Sequence, residues 1–291
     1  MSYYHRIQLS LDYIEDHLQD ELRIAEIAGK ACFSPFHFQR MFLAVSGFTV
    51  HEYIRKRRLT EAANLLRHTS ESVLQISLAC QYQSQEAFTR AFQSYAGVTP
   101  GKYRKSLDLT TESQHKINFL ELQKNTEGDV ERMDKPTTIQ LDDTPIIGYR
   151  YKTSLNGDGH YEDIPGFYDD FGRNGRFMPI RDKVSPGMSY GISCDYQDNG
   201  DFSFIVGEAV TESAELPDGN YTHLVLPAGK YAMFKAYGPA SLTATTRNYI
   251  YGTWLPNSGY ERREGPDFEI TDVVNSTFPD HMRITIYIPV D

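Results

Sequence analysis

The chain has 291 residues, of which 40% are hydrophobic and 23% are charged, the composition of a globular protein with room for two domains. It holds no run of about 18 apolar residues, so no membrane-spanning helix is predicted, and its start lacks the apolar segment of a signal peptide, which indicates a cytoplasmic location. Its three cysteines have no C-x-x-C spacing, which argues against a disulfide framework or a zinc site.

The charge is divided unevenly along the chain. Residues 1–110 hold 13 Lys and Arg against 11 Asp and Glu, whereas the remaining residues hold 16 against 28. The first part can approach a polyanion, while the second part repels polyanions and attracts cations. Two portions with different partners are therefore expected.

The first hundred residues are predicted to be helical. Segment 5–18 has apolar residues at helical spacing, and shorter helical stretches follow it. They are predicted at 24–31, 34–46, 50–67, 73–79, 84–95 and 99–104.

An internal repeat lies within this helical part. When the sequence is shifted by 50 residues, six identities coincide, and each copy reads as a short helix, a turn, a second helix and a Gly-x-Thr stop. This is the arrangement of a helix-turn-helix, so two such units are predicted. The identical pairs are Phe38/Phe88, Arg40/Arg90, Phe42/Phe92, Gly47/Gly97, Thr49/Thr99 and Tyr53/Tyr103.

The second helix of each copy has an apolar and a polar face. Phe38, Met41 and Phe42 form a buried stripe in the first copy, as Phe88 and Phe92 do in the second. Glutamine and arginine on the outer face suit the adenine and guanine edges of a major groove. A merely solvated polar face is the alternative, which the repetition disfavours. The outward residues are Phe36, Gln39 and Arg40 in the first copy and Gln85, Glu86 and Arg90 in the second.

A basic run joins the two copies. In EYIRKRRLTEAANLLRHT, Arg55 and Arg57 belong to a cluster at the start of a helix that spans about 25 Å. Such a helix could set two reading helices near one DNA turn apart, about 34 Å. Lys102 and Arg104 are predicted to add phosphate contacts.

The pattern changes to strands after residue 137. Strands are predicted at 138–153, 188–197, 201–210, 222–238, 266–272 and 282–290, with helices near 162–174 and 240–254. Asn199-Gly200 between two of these strands is typical of a tight hairpin turn. The apolar piece 117–123, which precedes the strands, could be a linker strand or an arm that packs on a domain.

The helical part resembles the DNA-binding domain of AraC/XylS-type transcription regulators. The motifs that carry the likeness are SPFHFQRMF, GFTVHEYIRKRRLTEAANLL, SQEAFTRAF and GVTPGKYR. It implies a monomer whose two reading helices enter adjacent major grooves of double-stranded DNA, and it adds His37 to the candidate contacts. This sequence departs from the family at Cys32 and Gln81, where glycine is frequent. A positive φ at these residues would cost roughly 1 kcal/mol each.

The strand-rich part resembles GyrI-like effector-binding domains, through LPAGKYAMFKAYG, YGTWLPNSGYE and GPDFEITD and through a duplicated strand-helix-strand-strand order. Those domains bind cationic or amphipathic molecules in a cleft between the two units. Glu269 matches their acidic position, and Phe268 and Ile270 are expected to face helices while Glu269 faces the cleft. The candidate cleft aromatics are Trp254, Tyr149, Phe167, Tyr190 and Tyr231.

The sequence therefore predicts a multidomain regulator. An all-α, homeodomain-like double helix-turn-helix domain (1–110) is followed by a linker (111–137) and an α+β GyrI-like domain (138–291). Double-stranded DNA and a small organic cation are the expected partners, RNA polymerase is a further candidate, and neither a metal nor a cofactor is expected. The alternatives are a hydrolase with Glu269 as general base and an acidic protein-interaction module.

Overall fold

The computed structural model of the chain describes residues 2–106, 113–121, 136–155 and 159–291. The chain divides into two compact units, Met1–Lys124 and Asn125–Asp291. In the described part of the chain, no helix is long and apolar enough to cross a bilayer.

The first unit is helical, as predicted, and its helices begin and end within two residues of the predicted bounds. They are α1 (Tyr3–Asp16), α2 (Ile24–Lys30), α3 (Pro35–Ser46), α4 (Val50–His68), α5 (Val73–Ala79), α6 (Gln85–Ala96) and α7 (Pro100–Lys105).

The repeat has a structural cause, because equivalent residues begin and end the equivalent helices. Ser34 and Ser84 cap α3 and α6 by accepting hydrogen bonds from the third residue of each helix. Gly47 and Gly97 end these helices with φ of 74° and 72°, the left-handed conformation that favours glycine. Thr49 then caps α4 in a reciprocal pair with Glu52.

The turns of the two helix-turn-helix units differ by one residue. The first helices start at Ile24 and Val73, 49 positions apart, whereas α3 and α6 start 50 positions apart. Cys32 and Gln81 hold φ of 53° and 62° in these turns. The backbone strain expected at both non-glycine residues is therefore present.

The buried stripes are confirmed. Phe38, Met41 and Phe42 are fully buried, and so are Phe88 and Phe92. The repeat extends to the ring contacts: Tyr53 meets the edge of Phe42 at 5.6 Å, and Tyr103 meets Phe92 at 5.4 Å. Each unit thus closes its own small aromatic core.

The piece after α7 is a packing arm. Phe119 is fully buried against Phe42, with ring centroids 5.6 Å apart, and its backbone N–H donates to the Gln8 side chain at 2.9 Å. Of the two alternatives for 117–123, the arm is correct for 117–121. Residues 111–112 and 122–135 of the predicted linker lie outside the described residues.

The second unit is built on one antiparallel sheet. The order across the sheet is β1-β6-β8-β7-β3-β4-β2-β5. Predicted strands 138–153 and 222–238 each divide into two, and the 197–201 turn confirms the hairpin, with Gly200 at φ 90°. The strands are β1 (Thr137–Leu141), β2 (Thr144–Ser154), β3 (Met188–Cys194), β4 (Asp201–Ala209), β5 (Tyr221–Leu226), β6 (Gly229–Gly238), β7 (Phe268–Asp272) and β8 (Met282–Pro289).

The predicted duplication is visible in the topology. The unit β2-α8-β3-β4 is followed by β6-α9-β7-β8, where α8 is His160–Arg173 and α9 is Leu242–Tyr249. A π-helical turn (Ile250–Trp254) and a short turn (Leu255–Asn257) continue α9. The edge strands are exchanged, because β1 pairs with β6 and β5 pairs with β2. The two halves meet where β3 pairs with β7, at the centre of the sheet.

Both faces of this sheet are buried. Phe204 and Val206 of β4 belong to a core cluster with α8, while Tyr190, Tyr231 and Phe268 belong to a cluster on the opposite face. Side chains therefore alternate between two cores along each strand. The expectation that Phe268 and Ile270 face helices is wrong: they lie on the face opposite α8, and Glu269 is the residue that contacts the helices.

Candidate DNA-binding surface and effector cleft

The outer edge of α6 is open to solvent. Gln85, Glu86 and Arg90 are exposed, as predicted, whereas Phe88 and Phe92 anchor the helix from below. Hydrogen bonds from its own backbone N–H and from Ser84 lower the pKa of Glu86. This carboxylate therefore already accepts hydrogen bonds at the N-terminus of its helix. In the free chain, this edge of α6 is therefore accessible to the major groove of DNA.

The corresponding edge of α3 is closed. Gln39 and Arg40 are only 5% and 8% exposed, and the guanidinium of Arg40 lies over the ring of the half-buried Phe36 at 5.7 Å. Gln39 and Arg40, which were expected to face outward, are therefore nearly buried in this structure, and their contact with DNA stays a prediction. Periodicity identifies the face opposite a helix's own core, but it does not give the solvent exposure of that face.

His37 is a packing residue. Its ring lies 4.3 Å from that of Phe33 and 5.8 Å from that of Tyr3, and the side chain is nearly inaccessible. This geometry does not support the expected DNA contact of His37. The aromatic contact with α1 was not evident from the α3 sequence alone.

The basic run divides into an outward and an inward part. Arg55 is exposed, but Arg57 is buried and makes two parallel hydrogen bonds to Glu15, from Nε to Oε1 at 2.9 Å and from Nη2 to Oε2 at 2.8 Å. Burial disfavours the charge of Arg57, yet Glu15 more than offsets this and raises the pKa of Arg57. Arg57 therefore forms a structural ion pair with Glu15, so its guanidinium is not free to contact phosphate as predicted.

The two basic residues of α7 also differ. Lys102 is exposed, whereas Arg104 donates to the backbone oxygens of Leu66 at 3.1 Å and Glu71 at 2.5 Å. Arg104 thus satisfies one carbonyl in the last turn of α4 and one in the loop that follows it. Lys102 remains the candidate phosphate contact.

Glu269 lies at the junction of the two halves of the sheet and is only 3% exposed. Its Oε2 accepts from Arg247 Nη2 of α9 at 2.7 Å, and its Oε1 accepts from the Tyr168 hydroxyl of α8 at 2.9 Å. We call these three residues the Glu269 cluster. The predicted acid is thus between the helices, but the chain itself supplies its cation.

The charge of Glu269 affects the pKa of both of its partners. Burial disfavours the charge of Arg247, but the carboxylate more than compensates and raises the pKa of Arg247. Burial and the negative charge of Glu269 together raise the pKa of Tyr168. Arg247 therefore stays a cation, and Tyr168 stays a neutral donor.

A glycine makes the Glu269 cluster sterically feasible. Gly191 of β3 lies directly opposite Glu269 in the register, and a Cβ at this position would overlap the Tyr168 hydroxyl. A side chain here would therefore break the hydrogen bond between Tyr168 and Glu269.

A second buried carboxylate lies two residues earlier. Asp267 is fully buried, accepts from Arg262 Nη2 at 2.7 Å, and also accepts from the Tyr251 hydroxyl. Arg262 donates further to the backbone oxygens of Gly265 and Arg263. This pair is a fixed part of the core.

The predicted cleft aromatics do not come together. Tyr149 and Phe167 lie on the helix-covered face, where Phe167 stacks on Tyr151 at 4.5 Å. Tyr190 and Tyr231 pack on Phe268 in the opposite core. Tyr190 and Tyr231 therefore lie on the sheet face opposite Glu269 and do not share a cleft with it, whereas Tyr149 and Phe167 lie on the same face as Glu269.

Trp254 lines a different depression. Its ring packs edge-on against Phe234 at 4.9 Å and stacks on Tyr260 at 5.8 Å. The depression encloses about 400 Å³, and Glu269 is not among its lining residues. The lining residues are Pro136, Thr138, Tyr249, Thr253, Trp254, Asn257, Ser258 and Tyr260.

Sequence reasoning missed Arg247 and Tyr168. Tyr168 immediately follows the predicted Phe167, and only the phase of α8 determines which of the two rings reaches Glu269. Arg247 lies in a predicted helix, but an arginine there is usually solvated. Among the described residues, no group of three His, Cys, Asp or Glu is arranged to hold a metal ion.

Comparison with known proteins gives different relatives for the helical part and for the sheet part of the chain. Residues 16–106 match the model of a helix-turn-helix domain, and residues 137–290 match that of an integron-associated effector binding protein. The chain is 30% identical over 288 residues to the right origin-binding protein of Escherichia coli (strain K12), covering 96% of both chains. The chain is a Rob-like regulator of the AraC family.

A second relative agrees with this family, and one solved structure resembles part of the chain. The transcriptional regulator Rob of Salmonella typhimurium is 29% identical over 292 residues, with 96% of each chain covered. The structure of SAV2435 bound to tetraphenylphosphonium is 17% identical, covers 54% of this chain and 94% of that chain, and has a TM-score of 0.45. The chain is a DNA-binding transcription regulator with an effector-binding domain, and neither the hydrolase nor the protein-interaction alternative is favoured.

The matched variants Arg55→Ala and Arg57→Ala should separate DNA contact from stability. Arg57→Ala leaves Glu15 buried without its cation and should lower the free energy of unfolding by about 3–5 kcal/mol. Arg55→Ala should change it by less than about 0.5 kcal/mol while weakening binding to every DNA sequence. Urea unfolding and gel shifts check both, and equal destabilisation by the two variants would contradict the assignment.

Gly191→Ala should destabilise the effector-binding domain by about 1–3 kcal/mol, because the added methyl group displaces Tyr168 from Glu269. Gly166→Ala in α8 is the control, since its added methyl meets nothing within 4 Å. It should be neutral or stabilising by up to about 1 kcal/mol. Thermal unfolding compares the two, and a neutral Gly191→Ala would refute the close approach.

Proposed function

We propose that this regulator reads specific DNA sequences through the outer edges of α3 and α6, and that its C-terminal domain senses a small amphipathic cation. The observation that carries the second part is a buried carboxylate, Glu269, held between two helices where the halves of the sheet meet. A carboxylate in that position is a charge partner for a cation that enters between α8 and α9.

The duplicated helix-turn-helix and the position of polar side chains support DNA reading. Gln85 and Arg90 are exposed on α6. The helix α4, which joins the two helix-turn-helix copies, is a single helix of 19 residues, or about 28 Å. The exposed cations Arg55 and Lys102 suit the phosphate backbone. Engagement of α3 requires in addition that Gln39 and Arg40 become accessible.

The charge of the second half supports cation sensing. Residues 111–291 hold 28 acidic against 16 basic side chains, so their field attracts cations and repels DNA. Phe167 of α8 stacks on Tyr151, and Trp254 beyond the end of α9 stacks on Tyr260, so both helical segments carry aromatic rings that suit a ligand with an apolar body. RNA polymerase stays a candidate partner without a structural feature that defines its contact.

Arg90→Ala should weaken binding to the specific site by about 1–3 kcal/mol, because a guanidinium that contacts a guanine edge is lost, and should change non-specific affinity little. The control Arg55→Ala should weaken both kinds of binding alike and make the salt dependence less steep. Fluorescence anisotropy at several salt concentrations, on a selected site and a scrambled one, measures both. Equal losses on both sequences for Arg90→Ala would make it a phosphate contact.

Benzamidinium should bind the full chain saturably, and its neutral counterpart benzamide should not, because only the first carries a charge for Glu269. A ligand at 100 times its Kd stabilises the folded state by about 2.7 kcal/mol, which thermal unfolding detects. Isothermal titration gives the Kd directly. If benzamide binds as well as benzamidinium, or if neither binds, the proposed cation sensor is wrong, whereas DNA binding is tested independently.

A further inference from the structure

The ion pair in the Glu269 cluster differs from the other buried arginine-carboxylate pairs of the chain. Arg57 holds Glu15 with two parallel hydrogen bonds, and Arg262 combines its bond to Asp267 with bonds to backbone oxygens. Arg247 gives Glu269 one hydrogen bond, from Nη2. Of these three arginines, Arg247 is thus the one with a single hydrogen bond to the described residues.

One nitrogen of the Arg247 guanidinium makes no hydrogen bond to the described residues. Its Nη1 is buried, and no described residue accepts a hydrogen bond from it. A buried donor without an acceptor raises the free energy of the state in which Arg247 is paired with Glu269, by an amount comparable to a lost hydrogen bond. The arginine is therefore retained by its charge more than by its geometry.

Arg247 is also the member of the pair that solvent reaches. Its side chain is 12% exposed, compared with 4% for the side chain of Glu269. The guanidinium ends a flexible stem of methylene groups on α9, whereas Glu269 is fixed in a central strand that pairs on both sides. Movement of the arginine, and not of the carboxylate, opens the pair.

We propose that Arg247 is a displaceable resident counter-ion of Glu269, and that the effector which replaces it is a cation with N–H donors, such as an amidinium, a guanidinium or a primary ammonium group. This inference rests on the proposed cation sensing and specifies its chemistry. Arg247 acts in it as a specificity-determining residue.

The requirement for N–H groups follows from the burial of Glu269. When Arg247 leaves, Oε2 loses its donor, while Oε1 keeps that of Tyr168. An amidinium restores a charge-assisted hydrogen bond to Oε2. A quaternary ammonium or phosphonium group supplies charge but no donor, so a buried carboxylate oxygen stays unsatisfied.

The experiment compares benzamidinium with phenyltrimethylammonium on the full chain by isothermal titration. Both are monocations on a single benzene ring, but only benzamidinium donates hydrogen bonds. The wild-type chain should bind benzamidinium about 10-fold or more tightly than phenyltrimethylammonium, since about 1.4 kcal/mol corresponds to a factor of 10. This comparison needs no variant and so does not depend on the folding of one.

Arg247→Met removes the competing cation, so its Kd for benzamidinium should fall about 10-fold or more below the wild-type value. Arg247→Lys, which keeps a cation and is more conservative for folding, should give a smaller tightening. Arg173→Met is the matched control, because Arg173 is an 81% exposed arginine of α8, and its Kd should equal that of the wild type.

Two results would overturn the inference. One is equal affinity of the wild-type chain for the two cations, and the other is an unchanged Kd in both Arg247 variants. If the cations bind but show either result, the proposed cation sensor survives and only the role of Arg247 fails. If benzamidinium does not bind the wild-type chain, both proposals fail together.

Discussion

Burial of the Glu269 carboxylate is the constraint on which the effector-binding domain depends. An ionised carboxylate cannot be moved out of water without compensation, and here the compensation comes from both helices of the duplicated units, through Tyr168 and Arg247. The cluster therefore fixes α8 and α9 against the central strands at one point. Gly191 is part of the same constraint, because only a residue without a side chain leaves room for the Tyr168 hydroxyl.

The helical unit follows from signals that are local in the sequence. Serine and threonine caps, glycine stops and the spacing of Phe38 and Phe42 all lie within a few residues of the helices they determine. Each copy of the repeat also closes its own core through an equivalent tyrosine. These features do not depend on distant contacts, which is why the helix bounds could be predicted closely.

The errors have one physical source, which is partnership between residues far apart in sequence. Arg55 and Arg57 are indistinguishable in a basic run, and only the approach of Glu15, 42 residues earlier, makes Arg57 a buried ion pair. The sequence does not show that Tyr190 and Tyr231 lie on the face opposite Glu269, because a strand buried on both faces has no polar alternation that identifies its sides. The resemblance pointed to Glu269, which is buried between the helices, but it carried no information about its arginine.

Because Arg247 already pairs with Glu269, a ligand that binds there competes with a cation of the chain itself. A ligand that enters an empty acidic site gains the full attraction of the carboxylate, whereas a ligand at an occupied site gains only the difference between its own interaction and that of Arg247. Such a site disfavours weakly interacting cations, since the resident guanidinium already meets the electrostatic need of Glu269. Selectivity then arises from hydrogen-bond geometry, which differs among cations of equal charge.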